Sequence, residues 1–293
     1  METARCKAFL AAADGGTLTA AAEKLGYTPS GVSQLITALE EDLGFRLLDR
    51  TRKGVRLSRE GERMLPMIRQ FVKYEENIYE MAGNINGLST GTVVIASYLS
   101  VATFMMPEVI RAFQEDYPKI EVRLMEGNWQ QVREYLQQGI ADAAVMTYER
   151  FEEFDWIPLL EDEMVAVLPP DHPMAGCSRY PLEKCRDEDF IMPGLGNDVD
   201  VVDLLEKYDI HPQVKYVTTD TMVMLSMIRS GLGMSVINKL TTGNWKGEVA
   251  ILPLDPPDMM TFGLAVQKGR SLSPAVEKFI EYVVRMLTRG SQL

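Results

Sequence analysis

The chain has 293 residues, of which 46% are hydrophobic and 25% charged, and its formal net charge is −12. This length predicts two or three domains, and the apolar fraction is that of an ordinary globular protein. No apolar run is long enough to cross a bilayer, and the polar start METARCK lacks a secretory-signal pattern. Composition therefore excludes a membrane protein and predicts a cytoplasmic location.

The cysteines give a second indication of compartment. Cys6, Cys177 and Cys185 are the three cysteines of the chain, and no two of them form a CxxC pair. Such an odd and sparse set is typical of reduced thiols in a cytosol. A redox pair of Cys177 and Cys185 is the alternative.

The N-terminal segment predicts three helices. Residues 3–13 carry one apolar stripe, and Thr17 to Leu43 divides into two helices joined by a tight turn. A hydroxyl residue precedes each of these two helices, and a glycine follows each of them. Apolar residues recur at i, i+3, i+4 and i+7 in both, so each helix has one buried face. These residues are Leu18, Ala21, Ala22 and Leu25 in the first helix, and Val32, Leu35, Ile36 and Leu39 in the second.

The outer face of the second helix carries short uncharged donors and acceptors where a solvated face normally has Lys and Glu. In a helix-turn-helix such a face enters the DNA major groove, where hydroxyls and amides can contact base edges. A small helical bundle with a polar face is the alternative. The predicted DNA-contacting residues of this helix and its start are Thr28, Pro29, Ser30, Ser33, Gln34 and Thr37.

A basic hairpin is predicted next. Phe45 to Arg59 contains six Lys or Arg residues against the single acid Asp49. Two short strands around a basic turn would form a wing beside the helix pair, and such a cluster is typical of phosphate binding. The predicted phosphate contacts are Arg50, Arg52 and Lys53.

The charge distribution agrees with a DNA-binding N-terminus. Residues 1–65 contain 10 Lys or Arg and 9 Asp or Glu, whereas residues 66–293 contain 20 and 33. Screening over about 8–10 Å at physiological salt limits how far the acidic remainder opposes DNA binding.

The segment AAEKLGYTPSGVSQLITALEEDLGFRLLDR resembles the winged helix-turn-helix of LysR-type transcriptional regulators. The resemblance is carried by the paired alanines, the mid-helix Val32-Ser33, the LE-x-x-LG pattern from Leu39 to Gly44, and the closing Arg50. Pro29 departs from the pattern, because the family usually has a polar residue there, often glutamine. The resemblance implies that double-stranded promoter DNA is a partner, with RNA polymerase as a further candidate.

A long helix is predicted from Ser58 to about Asn86. The resemblance implies an antiparallel dimer of such linker helices, and hence a homodimer or homotetramer. Packing on the chain's own domains is the alternative. This gives a DNA-binding domain at 1–58 and a linker helix at 59–88. The apolar side of the helix includes Leu65, Ile68, Phe71, Val72, Ile78, Tyr79 and Ala82.

From Thr92 onward, strands and helices alternate, which predicts a parallel α/β sheet. The segments LQQGIADAAVMT and SGLGMSVI resemble the effector-binding half of LysR-type regulators, which is similar to periplasmic binding proteins. Two subdomains with a cleft between them are implied. We expect the first at about 91–161 plus 266–293, and the second at about 162–265.

The effector site is predicted where strands end and helices begin, because ligands of α/β sheets bind there. Small hydroxyls dominate these positions, without a cluster of Arg or Lys, so a small carboxylate is the predicted effector. Each residue alone could instead be a helix cap. The predicted set is Ser97, Tyr98, Ser100, Thr103, Asn128, Thr147, Met192, Gly194, Thr218 and Thr219, with Asn197 beside them.

Other chemistry is weakly supported by the sequence. His172 and His211 share no metal-ligand spacing, and no G-x-S-x-G, P-loop or G-x-G-x-x-G motif occurs. We therefore expect no catalytic residues, no metal and no cofactor. The alternative function is a stand-alone small-molecule-binding or enzymatic α/β protein with a helical appendage.

Overall fold

The computed structural model of the protein has an N-terminal helical module with a hairpin, one long helix, and a C-terminal α/β unit. This is the architecture that the sequence predicts. None of the described helices is both long and apolar enough to span a bilayer. The described residues are 2–51, 54–86, 90–147, 152–194, 198–243, 245 and 247–289.

The N-terminal module packs its helices and hairpin around one core that includes Phe9, Ile36 and Leu39. The hairpin pairs antiparallel, with Leu48 opposite Leu57. The elements are α1 (Thr3–Gly15), α2 (Leu18–Leu25), α3 (Pro29–Leu43), β1 (Leu48–Thr51) and β2 (Gly54–Leu57).

Local capping fixes the bounds of α2 and α3. The side chain of Thr17 accepts a hydrogen bond from the Ala20 amide at 3.1 Å, and that of Thr28 accepts one from the Gly31 amide at 3.1 Å. Gly26 ends α2 with a φ of +70°, a conformation that glycine adopts without strain. The predicted starts and ends of both helices are confirmed.

The long helix α4 (Arg59–Ile85) is joined tightly to this module. The Ser58 hydroxyl accepts from the Gly61 amide at 2.9 Å and donates to the Arg46 carbonyl at 2.8 Å. A Cβ at position 61 would lie 2.0 Å from the Leu47 carbonyl oxygen, so glycine is required there. The start of α4 is therefore fixed against the segment that leads into the hairpin.

Helix α4 carries two apolar stripes, where the sequence predicted a single apolar side. Ile68 and Val72, which the sequence grouped with the rest of that side, are buried in the core of their own N-terminal module. A second stripe has the 3–4 spacing of a coiled-coil seam and is mostly exposed, up to 79% at Ile85. We call this stripe the apolar seam: Met67, Phe71, Tyr74, Ile78, Met81 and Ile85.

The C-terminal unit alternates strands and helices, as predicted, with further strands that the sequence did not indicate. Two of these are β7 and β11. In chain order the elements are β3 (Gly91–Tyr98), α5 (Leu99–Phe104), α6 (Met106–Asp116), β4 (Ile120–Gly127), α7 (Trp129–Gln137), β5 (Ala143–Thr147), β6 (Phe154–Leu168), β7 (Tyr180–Pro181), β8 (Asp189–Met192), α8 (Val199–Lys207), β9 (Gln213–Val217), α9 (Thr221–Arg229), β10 (Ser235–Asn238), β11 (Ala250–Asp255), β12 (Met259–Gln267) and α10 (Pro274–Arg289).

The main sheet is mixed, and the expectation of a parallel sheet is wrong. Its strand order is β4-β3-β5-β12-β6-β11-β7, and β10 also pairs with β6. Strand β3 is parallel to both of its neighbours, whereas β12 is antiparallel to β5 and β6. The reason is topological: the chain enters the second subdomain along β6 and returns beside it along β12, so these neighbours run in opposite directions.

Among the described residues, four buried clusters include side chains of this sheet, and the two largest show how the subdomains are joined. The first includes Phe113, Phe262 and Phe279, and the second includes Phe190 and Val236. Strand β6 contributes to both, and the part of β12 that begins at Phe262 pairs with β5. The two long strands β6 and β12 therefore connect the subdomains, while the expected division near residues 161 and 265 stays a prediction.

Candidate DNA-binding surface and effector cleft

The start of α3 presents a small polar surface to solvent. Thr28, Pro29, Ser30 and Gln34 are all exposed. The Thr28 oxygen is already engaged, because it caps the helix and lies 3.0 Å from the Ser30 hydroxyl oxygen. Thr28 therefore orders the helix start, and Gln34 offers an extended donor and acceptor to a partner.

One stripe of α3 faces the hairpin instead. Glu40 belongs to this stripe, and its Oε1 accepts hydrogen bonds from the amides of Leu47 at 2.7 Å and Leu48 at 3.0 Å. Two donors on one carboxylate oxygen fix the start of β1 against the helix. The hairpin therefore has a defined position relative to the polar surface of α3.

Arg50 lies on β1 and reaches back to the same stripe. Its Nη2 donates to Ser33 Oγ at 3.0 Å and to Thr37 Oγ1 at 3.4 Å. The sequence placed these two hydroxyls at base edges and Arg50 at a phosphate. The structure brings all three side chains together on the outer side of α3.

The opposite edge of the hairpin packs on the turn between α1 and α2. The Val55 amide donates to the Gly16 carbonyl at 2.8 Å. Gly54 has a φ of +135°, and a Cβ there would lie 2.2 Å from the Gly16 oxygen. Glycine is therefore needed for this contact. The predicted phosphate contacts Arg52 and Lys53 lie outside the described residues.

A polar stripe of α4, opposite the apolar seam, contacts the C-terminal unit. We call Arg69, Lys73 and Glu80 the polar seat, since their i, i+4 and i+11 spacing places them on one helix face. Arg69 contacts Asp14 of α1 and lies 3.4 Å from Gln138 Oε1, so one guanidinium touches both units.

The other two residues of the polar seat contact the residue before β5 and the start of α10. Lys73 Nζ lies 3.2 Å from Asp142, a carboxylate that is only 3% exposed and also accepts from the Val94 amide at 3.0 Å. Glu80 Oε1 accepts from the Ala275 amide at 2.7 Å, at the start of α10. Asp142 is also paired with the buried Arg270 at 3.5 Å, so Lys73 docks α4 on a carboxylate that is already held in place.

The predicted effector site begins at the carboxyl ends of β3 and β5. The Tyr98 hydroxyl and Thr147 Oγ1 lie 2.8 Å apart. Burial raises the pKa of Tyr98 well above its ordinary value, and the negative charge of Asp200 adds to this. Tyr98 is therefore a neutral phenol at physiological pH. Ser97 is fully buried and donates to the Tyr98 carbonyl, so its side chain points away from open space.

Other predicted residues of the first subdomain are more accessible. Ser100 is half-buried and Thr103 is exposed, both on α5. Asn128 is exposed and forms a capping box with Gln131. Its Oδ1 accepts a hydrogen bond from the Gln131 backbone amide at 2.9 Å, and the Asn128 backbone amide donates to Gln131 Oε1 at 3.0 Å. The side-chain carbonyl group of Asn128 is therefore already occupied as the cap of α7.

The second subdomain carries carboxylates at the helix starts where the sequence predicted effector contacts. Asp220, and neither Thr218 nor Thr219, caps α9 by accepting from the Val223 amide at 3.0 Å. Thr218 Oγ1 accepts from the Asp220 amide at 3.2 Å, and Thr219 is exposed. The positive end of this helix dipole is therefore already compensated.

Helix α8 begins in the same way. Asp198 caps it by accepting from the Val201 amide at 3.2 Å, and burial raises the pKa of Asp198. Met192 is buried, and Gly194 has a φ of +64° with Asp198 packed beside it. Asn197 lies outside the described residues. Sequence reasoning missed Asp198 and Asp220, although an aspartate directly before a helix is a recognisable cap signal.

The cysteines do not favour thiol chemistry at the cleft. Burial raises the pKa of Cys185 to about 12, so its thiol is protonated at neutral pH and a poor nucleophile. Cys6 is buried in the N-terminal module and Cys177 is exposed.

Comparison with protein families gives two matches that together span most of the chain. Residues 4–62 match the bacterial regulatory helix-turn-helix model of the lysR family, and residues 86–288 match the LysR substrate-binding-domain model. A similar curated protein is the HTH-type transcriptional regulator YvbU of Bacillus subtilis (strain 168). It is 31% identical over 286 residues, which are 96% of this chain and 97% of YvbU.

Solved structures with the same architecture include a full-length variant of OxyR from Pseudomonas aeruginosa. It has a TM-score of 0.77 and 19% identity, and the match covers 98% of this chain and 94% of that chain. The regulatory domain of Synechocystis PCC6803 CcmR, in complex with 2-PG, has a TM-score of 0.62 and 26% identity. That match covers 68% of this chain and 98% of the CcmR domain.

Proposed function

Because this chain belongs to the LysR family of transcriptional regulators, non-enzymatic DNA-binding proteins with an effector-binding domain, we propose that it controls promoters as a homodimer or homotetramer in the cytoplasm. The observation that carries this proposal is the outward polar face of α3 beside a wing fixed by Glu40. RNA polymerase is a further proposed partner.

The proposed oligomer forms through the apolar seam of α4. Ile78 and Ile85 are 68% and 79% exposed, an unusual state for large aliphatic side chains in a regular 3–4 pattern. A second copy of the same helix, lying antiparallel, would bury this stripe. Two recognition helices would then face one DNA duplex.

The proposed effector is a small carboxylate bound on the first-subdomain side of the cleft. Ser100 supplies a donor there, and the amino end of α7 supplies a favourable dipole. Asp198, whose charge acts on Tyr98, disfavours a carboxylate on its own side of the cleft through like-charge repulsion. The CcmR domain in complex with 2-PG supports a small-ligand site in this domain type.

A conformational change at the cleft can reach the DNA module through a single strand. Thr147, at the carboxyl end of β5, contacts Tyr98, while Asp142, just before the other end, contacts Lys73 of α4. Five strand residues span about 16 Å at the rise of a parallel strand. Strand β5 therefore links the cleft to the polar seat, and rigid elements of this kind can carry coupling between sites.

The DNA-binding part of this proposal is tested by incubating the purified protein with fragmented genomic DNA and sequencing what is retained. We expect a small set of promoter fragments that share an interrupted inverted repeat. Uniform retention of all fragments, or none, would favour the alternative of a stand-alone small-molecule-binding or enzymatic protein.

The effector part is tested by thermal shift with a panel of carboxylates and their uncharged analogues. A ligand that binds only the folded protein stabilises it by about 2.7 kcal/mol at a hundredfold excess over Kd. Ser100→Val should abolish the shift, while Ser100→Thr, which retains a hydroxyl, should preserve it. Stabilisation by uncharged or cationic compounds alone would overturn the carboxylate assignment.

A further inference from the structure

We propose that Arg50 reads a base pair in the major groove, and that Ser33 and Thr37 act by holding its guanidinium in position. This inference rests on the proposed DNA-binding function and deepens it. It reassigns Arg50 from a phosphate contact to a specificity-determining residue. It also reassigns Ser33 and Thr37 from base readers to positioning residues.

The outer face of α3 is divided into two adjacent stripes. Ser33, Thr37 and Glu40 recur at i, i+4 and i+7, and all three make hydrogen bonds to the wing segment. Ser30 and Gln34 lie on the neighbouring stripe and are exposed. The Arg50 guanidinium therefore rests beside the very side chains that a major-groove helix presents to base edges.

The backbone that carries Arg50 is held at several points. Glu40 fixes the amide of Leu48, and the Leu48 side chain is 4% exposed in the module core. Arg50 itself lies opposite Val55 of β2, which is docked through its amide on Gly16. The reach and direction of the Arg50 side chain are therefore set before DNA is bound, which reduces the entropy lost on contact.

The hydrogen-bond inventory of the guanidinium fits a guanine. Arginine has five N–H donors, and Nη2 directs its two toward Ser33 and Thr37. Among the contacts of the described residues, Nε and Nη1 of Arg50 make no hydrogen bond and remain for a partner. Both bidentate edges of a guanidinium include Nη2, so with Nη2 held by the two hydroxyls Nη1 is left to donate to O6 or N7 of guanine, the acceptors that arginine contacts most often in the major groove.

Arg56 provides a matched control on the other strand of the wing. It is exposed and lies opposite Asp49 in the hairpin register. Its position on β2 gives it no hydrogen bond to the polar stripe of α3 among the described contacts. A lysine replaces an arginine well at a phosphate, as a point charge. Its single nitrogen cannot reproduce an arginine that bonds Ser33 and Thr37 through Nη2 and a base through Nη1.

The charge-conserving pair Arg50→Lys and Arg56→Lys therefore separates base reading from phosphate binding. Affinity of the full-length protein would be measured on an operator identified among the promoter fragments that the protein retains. The same measurement would be made on operators with each base pair replaced and on random DNA. Arg50→Lys should weaken operator binding by about 5- to 150-fold, the equivalent of 1–3 kcal/mol, and abolish discrimination at one base pair per half-site. Arg56→Lys should leave the base preference unchanged.

Two outcomes have distinct meanings. An equal loss of affinity on operator and random DNA for Arg50→Lys would overturn the inference. It would show that Arg50 contacts a phosphate, as the sequence predicted. Absence of operator binding by the unmodified protein would instead defeat the proposed function itself.

The positioning role is tested by double-mutant cycles. Ser33→Ala and Thr37→Val should each reduce discrimination at the base pair read by Arg50, and neither should add to the effect of Arg50→Lys. Thr37→Ser should retain discrimination. Gln34→Ala should remain additive with Arg50→Lys, because it reads a different position. Additive effects of Ser33→Ala and Thr37→Val in proteins that melt normally would show that the hydroxyls contact DNA directly.

Discussion

Small polar side chains mark both the recognition helix and the effector cleft, but they are used differently in the two regions. On α3, Ser30 and Gln34 face solvent, while the side chains beside them position the wing. In the predicted cleft, the side chains of Asn128 and Thr218 accept hydrogen bonds from the nearby backbone amides of Gln131 and Asp220. The same residue types therefore form a presented surface in one region and local contacts with the backbone in the other, and only the long-range contacts distinguish the two.

Helix α4 joins the two regions, and the largest expected effect is a difference between substitutions on its buried stripe and on its exposed stripe. Ile68 is 1% exposed, so Ile68→Asp would bury an unpaired carboxylate and destabilise the N-terminal module by more than about 4 kcal/mol. Ile78→Asp places the same charge on the apolar seam. It should leave the module folded and make the protein monomeric. Thermal melting and sedimentation measure both, and a dimeric Ile78→Asp variant would move the interface elsewhere.

The next effect concerns the preformed wing. Glu40→Ala leaves the Leu47 and Leu48 amides without their acceptor and should cost about 1–3 kcal/mol. Glu40→Gln keeps a carbonyl oxygen at the same place, so most of the stability and the DNA affinity should remain. Melting and operator affinity would be compared for both variants. If they behave alike, the wing is held by other contacts.

A smaller effect distinguishes a cap from a ligand contact in the cleft. Asn128→Ala removes the capping oxygen of α7 and should cost about 0.5–2 kcal/mol without ligand. Asn128→Asp retains the cap but adds a negative charge, which should reduce the thermal shift produced by a carboxylate. An unchanged shift in Asn128→Asp would place the carboxylate away from the start of α7.

The mildest perturbation is salt. If two wings together make about four to six phosphate contacts, the logarithm of affinity should fall with that of salt at a slope of roughly −4 to −5. Arg52→Ala should flatten the slope by about one unit and weaken all sequences alike. An affinity independent of salt would contradict the wing assignment.

The DNA module could be predicted closely because its signals are local. Hydroxyl caps and a following glycine set the bounds of α2 and α3, and both are properties of a few adjacent residues. The two stripes of α4 could not be separated, because both are apolar and only the packing of α1 decides which is buried. The same limit applies to Arg50, whose contacts with Ser33 and Thr37 join residues 17 and 13 positions apart.

The effector half was less predictable for related reasons. The direction of β12 depends on how the chain returns from the second subdomain, which no local pattern encodes. The first part of β6, FDWIPLLED, mixes polar residues with a proline and lacks the alternation typical of a strand. Carboxylate caps such as Asp198 carry a local signal, but whether they face the cleft depends on the fold.

The recognition face of α3 is tested most directly by Gln34→Ala, with affinities measured on a retained operator and on random DNA at one salt concentration. Gln34 is exposed on this face, so its loss should cost about 1–3 kcal/mol on the operator, confined to one base pair per half-site, and little on random DNA. An equal loss on both DNAs would show that Gln34 only positions the backbone, and would contradict the assignment of this face as the reader of sequence.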